Sequence, residues 1–140
     1  MSNRLYYTDA YRTAFDAEVT AVDGPRVHLA QTAFYPTSGG QPFDTGVLGG
    51  SRIIDVVDEA DEVVHILEAA PAFSAGATVH GTIDWPRRFD HMQQHTGQHI
   101  LSAALERLID APTLSSTLGA DKSVIEVGLA EVDWRTVQRV

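Results

Sequence analysis

"WPRRFDHMQQHTGQHILSAALERLI", residues 85–109, decides how this chain folds. Phe89, Met92, Ile100, Ala104 and Leu108 approximate one apolar stripe at helical spacing, with Leu101 and Leu105 beside it. Pro86 suits the first turn of a helix, where its missing N–H is not needed. Pro112 marks the stop. The spacing therefore predicts one helix over 85–109. The 84 residues before it carry a different period.

Upstream, the pattern is that of short strands and turns. "FDAEVTAV" alternates, placing Phe15, Ala17, Val19 and Ala21 on one side of a half-buried strand. "DGPR" at 23–26 turns the chain and "VHLAQT" returns it. "GVL", "RIIDVV", "VVHILE" and "ATVHGTID" read as further strands, with "DEADE" as a turn between the fourth and fifth of these six. Several short strands joined by Gly and Asp turns suggest a small barrel or sandwich. Downstream of Pro112, "TLSSTLGADKSVIEVGLA" predicts a strand, a Gly-Ala-Asp-Lys turn and a second strand. "EVDWRTVQRV" predicts another helix, with the chain ending inside it. That open pattern leads us to expect a longer natural protein, of which this is a C-terminally truncated piece.

The bulk numbers narrow the function classes. The 140 residues fit one domain or two small lobes. Hydrophobic residues make up 44% and charged ones 21%, an ordinary globular balance. No apolar run is long enough to cross a membrane as a helix, and "MSNRLYYTDAYR" lacks the apolar core of a signal peptide. A cytoplasmic location, without membrane association, is the expectation. With no cysteine, disulfides and thiolate metal ligands within the chain are excluded. A net charge of −9 argues against non-specific nucleic-acid binding. A specific RNA would have to be met locally, and the close basic pairs are Arg87 with Arg88 and Arg135 with Arg139.

Two motifs carry chemistry. His91, His95 and His99 stand four apart on the predicted helix, hence on one face. Imidazoles at that spacing can share one metal ion, and His-x-x-x-His on a helix is a zinc-binding spacing. A solvated helix face explains the same spacing. Thr96 stands where a zinc protease has its glutamate, which disfavours that class. Two or three histidines leave a coordination position open, as in catalytic rather than structural zinc sites. His28, His65 and His80 fall in strand patterns and read as structural or exposed.

The second motif is "FYPTSGGQPFDTG", residues 34–46. Gly39 and Gly40 permit positive φ and close backbone approach. The motif is neither Gly-x-Gly-x-x-Gly nor a phosphate-binding loop, so nucleotide binding is not supported. By its own chemistry it is a plain turn, or a loop whose neighbours Thr32, Thr37, Ser38 and Gln41 read a polar ligand.

Taken together, the two motifs resemble the editing domain of alanyl-tRNA synthetases and their free-standing AlaX-type relatives. That family carries Phe-Tyr-x-x-Ser-Gly-Gly-Gln-x-x-Asp-x-Gly in an N-terminal barrel lobe. Its His-x-x-x-His helix follows in an α/β lobe shared with threonyl-tRNA synthetase editing. The resemblance covers nearly the whole chain. It implies an α+β fold: a small β-barrel lobe over residues 1–84, then the start of the α/β editing lobe over residues 85–140. It implies zinc-dependent hydrolysis of mischarged tRNA, Ser- or Gly-tRNA(Ala), with alanine tRNA as the partner. His95 and His99 match the first metal pair; His91 carries no ligand role. Ser38, Gly39, Gly40 and Gln41 match the recognition segment, and Thr32 a threonine near the amino-acid pocket. This makes Thr32 and Gln41 the catalytic candidates and Thr32, Ser38, Gly39, Gly40 and Gln41 the substrate-binding set.

The chain departs from the family in one large respect. The second metal pair, Cys-x-x-x-His, has no counterpart, since no cysteine occurs and no histidine follows His99. Half the ligand set is present. Besides the editing hydrolase, two readings stay open: a non-catalytic RNA-binding or interaction module that kept the fold, and a zinc hydrolase of small substrates.

Overall fold

The computed structural model describes residues 2–119, 122–129 and 131–140. In chain order the elements are β1 (Asn3–Arg4), a 3-10 turn (Leu5–Tyr7), β2 (Ala14–Asp23), β3 (Arg26–Leu29), β4 (Gln31–Thr32), β5 (Gly46–Leu48), β6 (Ser51–Glu59), β7 (Glu62–Leu67), β8 (Thr78–Ile83), α1 (Trp85–Ile109), β9 (Thr113–Thr117), β10 (Val124–Val127) and α2 (Trp134–Val137). The class is α+β, dominated by sheet. The residues form two units. One runs to Ser38 and resumes from Pro42 to Arg88; the other takes Gly39–Gln41 and Phe89–Val140. The division thus falls at Arg88, one turn into α1, and the tip of the Gly-rich loop counts with the second unit.

In the first unit six strands pair in the order β2-β3-β7-β6-β5-β8, and β8 pairs back onto β2, closing a barrel. Closure leaves these strands no free edge. Alternation sets what fills the interior: β8 buries Val79, Gly81 and Ile83, and β2 buries Phe15, Ala17 and Val19. The expected fourth inward residue of β2, Ala21, is exposed, because the β2–β3 register shifts between Val19 and Ala21. Such a bulge turns later side chains to the other face, and Val22 becomes the half-buried one. Phe34 sits at the centre of the core with Leu29, Leu48, Ile53 and Val56. Its ring meets Phe15 edge-on, with 5.6 Å between centroids. The β6–β7 reversal runs through Ala60 (φ 47°) and Asp61 (φ 70°), as a two-residue hairpin turn requires.

In the second unit α1 has the bounds that its apolar period and prolines predict. The antiparallel hairpin β9–β10 pairs Val124 with Thr117 and Ile125 with Ser116. Polar contacts tie it to α1: Thr113 Oγ1 donates to Ser102 Oγ at 2.7 Å, and Ser123 Oγ donates to Gln94 Oε1 at 2.9 Å. The Gly-Ala-Asp-Lys turn expected between these strands falls at Ala120 and Asp121, outside the described residues. The apolar stripe of α1 is only partly covered. Ile100 is 67% exposed, and Phe89, Leu101 and Leu108 are also exposed. A two-stranded hairpin is too small to cover a helix of 25 residues, about 37 Å long. The last helix is a single turn, not one that the chain ends inside. Asp133 caps it by accepting the Thr136 N–H at 2.7 Å, and it closes at Val137.

Candidate functional site

The Gly-rich loop is built from its ends inward. At its base the Asp44 N–H donates to the Tyr35 carbonyl at 2.9 Å, and the Tyr35 N–H donates to Asp44 Oδ2 at 2.7 Å. The Asp44 carboxylate is buried and takes Arg88 Nε at 2.9 Å on each oxygen, with a further contact from Nη2. The same guanidinium donates to the Ala33 carbonyl at 2.6 Å and the Ala10 carbonyl at 3.1 Å. A planar fork of five donors suits this bidentate role. Arg88 is therefore an internal clamp of the barrel unit, not half of a basic surface pair for RNA. Arg87 is half-buried, stacked over the Phe43 ring at 5.4 Å. Arg135 and Arg139 are exposed.

Thr32 is fully buried in the barrel unit. Its hydroxyl accepts the Phe34 N–H at 3.1 Å and lies 2.8 Å from His65 Nε2. His65 Nδ1 lies 3.1 Å from the Val27 carbonyl, which can only accept. The Nδ1 atom therefore carries the proton, Nε2 accepts, and Thr32 donates to it. Thr32 thus has its donor and one acceptor site engaged inside the barrel. Toward a ligand it could only accept. Sequence reasoning missed His65 as its partner, because a His among strand residues 33 positions away gives no local signal.

Burial pushes the His65 pKa down to about 4, against its hydrogen bond to Val27. With the folded value below the ordinary 6.5, the unfolded chain binds more protons between these limits. The barrel's stability is then full above pH 6.5 and falls as pH drops from 6.5 to 4, by about 3 kcal/mol from this residue. Urea unfolding at pH 7 and pH 4.5 reads this, and His65→Gln should remove that share of the loss. An unchanged pH dependence in the variant would contradict it.

The tip of the loop, Gly39–Gln41, reverses direction with φ +57° at Gly39 and +79° at Gly40. Gly40 has a second reason to lack a side chain. A Cβ there would stand 2.5 Å from the Ser116 carbonyl oxygen of β9. The Gly40 carbonyl in turn accepts the Leu118 N–H at 2.9 Å. The glycine's close approach, expected toward a ligand, is thus met by backbone of its own unit. The tip so anchored delivers Gln41 to α1. Gln41 is 5% exposed, and its Oε1 lies 2.9 Å from His95 Nδ1. An amide oxygen only accepts, so Nδ1 holds the proton and Nε2 keeps its lone pair.

His95 and His99 lie side by side on α1, with ring centroids 4.9 Å apart and planes 19° from parallel. Burial, then the neighbouring His99, holds the His95 pKa below its ordinary value, which favours the neutral ring that a metal needs. His91 is buried. Among the described residues no group of three or more His, Asp or Glu gathers around one point. The nitrogen donors that this helix face offers side by side are the imidazoles of His95 and His99, two of the four that a zinc ion takes. Ser38 is exposed and precedes this tip, and its carbonyl accepts the Tyr35 hydroxyl at 3.5 Å. Among the described residues no helix is long and apolar enough to cross a membrane.

A loop that presents an amide to a helical histidine pair defines a class that the sequence comparisons make specific. The profile of the tRNA synthetases class II (A) matches residues 6–87, and the chain belongs to that family. Within it the chain is similar to alanine–tRNA ligases and alanyl-tRNA editing proteins. It is 45% identical to the alanine–tRNA ligase of Thermococcus kodakarensis, over 97% of this chain and 16% of that protein. It is 38% identical to the alanyl-tRNA editing protein AlaX-L of Pyrococcus horikoshii, over 99% of this chain and 36% of that protein. It is 40% identical to the alanyl-tRNA editing protein Aarsd1 of Danio rerio, over 78% of this chain and 26% of that protein. The chain thus spans between 16% and 36% of the length of these relatives.

Proposed function

We propose that the chain serves hydrolytic editing of mischarged tRNA in the cytoplasm, removing serine or glycine from alanine tRNA. The observation that carries this is the contact between Gln41 of the Gly-rich loop and His95 of the helix. It joins two motifs, 54 residues apart, in a chain similar to editing proteins.

The chemistry asks little of the protein beyond placement. An aminoacyl ester is already activated, so a positioned water and a stabilised oxyanion suffice. In this proposal His95 and His99 hold zinc, which when bound acidifies water and polarises the ester carbonyl. Gln41 has its oxygen on His95, so the donor end of its amide is what remains to meet a developing oxyanion. Ser38 and the backbone of Gly39 and Gly40 contribute polar contacts to the aminoacyl group. A polar contact of this kind favours a serine hydroxyl over an alanine methyl.

Hydrolysis of Ser-tRNA(Ala), Gly-tRNA(Ala) and Ala-tRNA(Ala) by the intact protein tests this reading. Ser-tRNA(Ala) should lose its amino acid at least about ten times faster than Ala-tRNA(Ala), the discrimination that one polar contact supplies, and Gly-tRNA(Ala) should be hydrolysed as well. Equal rates on all three, or none, would remove the editing reading in favour of a module that keeps the fold without the chemistry.

A further inference from the structure

Gln41 holds a position whose consequence reaches beyond substrate contact. In water a neutral imidazole carries its proton on either nitrogen, and a histidine that binds metal through one of them is oriented by what the other touches. Gln41 supplies such a partner to His95 Nδ1 at 2.9 Å. Three features keep it there. Gln41 is almost wholly buried, so its amide does not exchange freely with water. Gly40, immediately before it, is held by the Leu118 N–H just past β9 and has no room for a side chain. Gly39 carries φ +57°, a left-handed conformation that favours glycine, and the place of its missing Cβ lies 4.0 Å from His95 Cε1, so the turn that leads to Gln41 runs in contact with the ring.

We propose that Gln41 is a positioning residue that acts through His95: it fixes the Nδ1–H tautomer and thereby dedicates Nε2 to a divalent metal. This rests on reading His95 and His99 as a metal pair. On this account the Gln of the loop serves the metal site before any substrate arrives, and the two glycines serve the Gln. The same contact gives the loop a stake in metal loading, because a loop that loses its grip on Leu118 also releases His95.

The test uses the full chain and two variants, Gln41→Leu, which removes the acceptor at similar volume, and Gln41→Glu, which keeps it. Long-range nitrogen–proton NMR of the metal-free protein reads the His95 tautomer. Competition with a chromophoric chelator reads affinity for zinc, and the visible spectrum of the cobalt form reads ligand geometry. The expected results are the Nδ1–H tautomer in the parent and in Gln41→Glu, and a shift toward Nε2–H in Gln41→Leu. Zinc affinity should fall about 10- to 100-fold in Gln41→Leu and be restored in Gln41→Glu. Circular dichroism on Gln41→Leu, with Gln41→Met as a second acceptor-free variant, separates this from loss of fold. An Nε2–H tautomer in the parent, or zinc affinity indifferent to the acceptor, would overturn the proposal, as would a parent chain with no zinc affinity. Zinc bound in the expected order without any serine release would leave this proposal standing and remove the editing reading.

Discussion

Replacing Arg88 by Leu should cost about 3–5 kcal/mol of folding stability, the range for leaving one member of a buried ion pair without its partner. The side chains of Arg88 and Asp44 are 2% and 0% exposed. Without the guanidinium the Asp44 carboxylate is left with the Tyr35 N–H, at 2.7 Å. The carbonyls of Ala10 and Ala33 also lose their donor. Arg88→Lys keeps a charge but cannot reproduce the fork, so it should fall between the parent and Arg88→Leu. The double variant Arg88→Leu, Asp44→Leu removes both charges and should recover part of the loss. Denaturant unfolding of the four proteins reads the series. A double variant less stable than Arg88→Leu alone would contradict the clamp. The clamp also fixes the base of the Gly-rich loop, because Asp44 pairs with Tyr35 across its two ends.

His95→Ala should abolish serine release, with a rate loss of at least about 100-fold, the upper end of what even a second-shell partner of a metal costs. It should also lower bound zinc, measured by mass spectrometry on the purified protein. The two readouts move together if His95 is a ligand. A rate loss with zinc unchanged would make His95 a substrate or proton-handling group instead. His99→Ala should behave the same way, since His99 supplies the adjacent ring.

How much of this could be read from the sequence differs by element, for physical reasons. The bounds of α1 follow from local information, an apolar period between two prolines, and they match Trp85–Ile109. The strands follow from alternation, except where the bulge after Val19 breaks the period without any residue that announces it. Long-range pairing is another matter. Arg88 reads as half of a basic pair because its acidic partner lies 44 residues away in a loop of apparent turn residues. Gly40 reads as freedom for a ligand, but the group it makes room for is the Ser116 carbonyl. Ser-Gly-Gly-Gln and His-x-x-x-His are each visible alone, and their meeting at Gln41 and His95 is a tertiary fact. Thr32 and His65 share that character, since a buried hydroxyl declares its partner only once the barrel closes. The exposed stripe of α1 is a limit of another kind. Amphipathic spacing shows which face is apolar and leaves open how much of it is covered.

On the proposed reading, the histidine pair and the loop that orients it serve the hydrolysis of mischarged alanine tRNA. The most direct measurement is serine release from Ser-tRNA(Ala) by the intact protein, before and after removal of metal by a chelator and again after zinc is returned. The account predicts rapid release that stops with the chelator and resumes with zinc. Release that continues at full rate in the metal-free protein would contradict it.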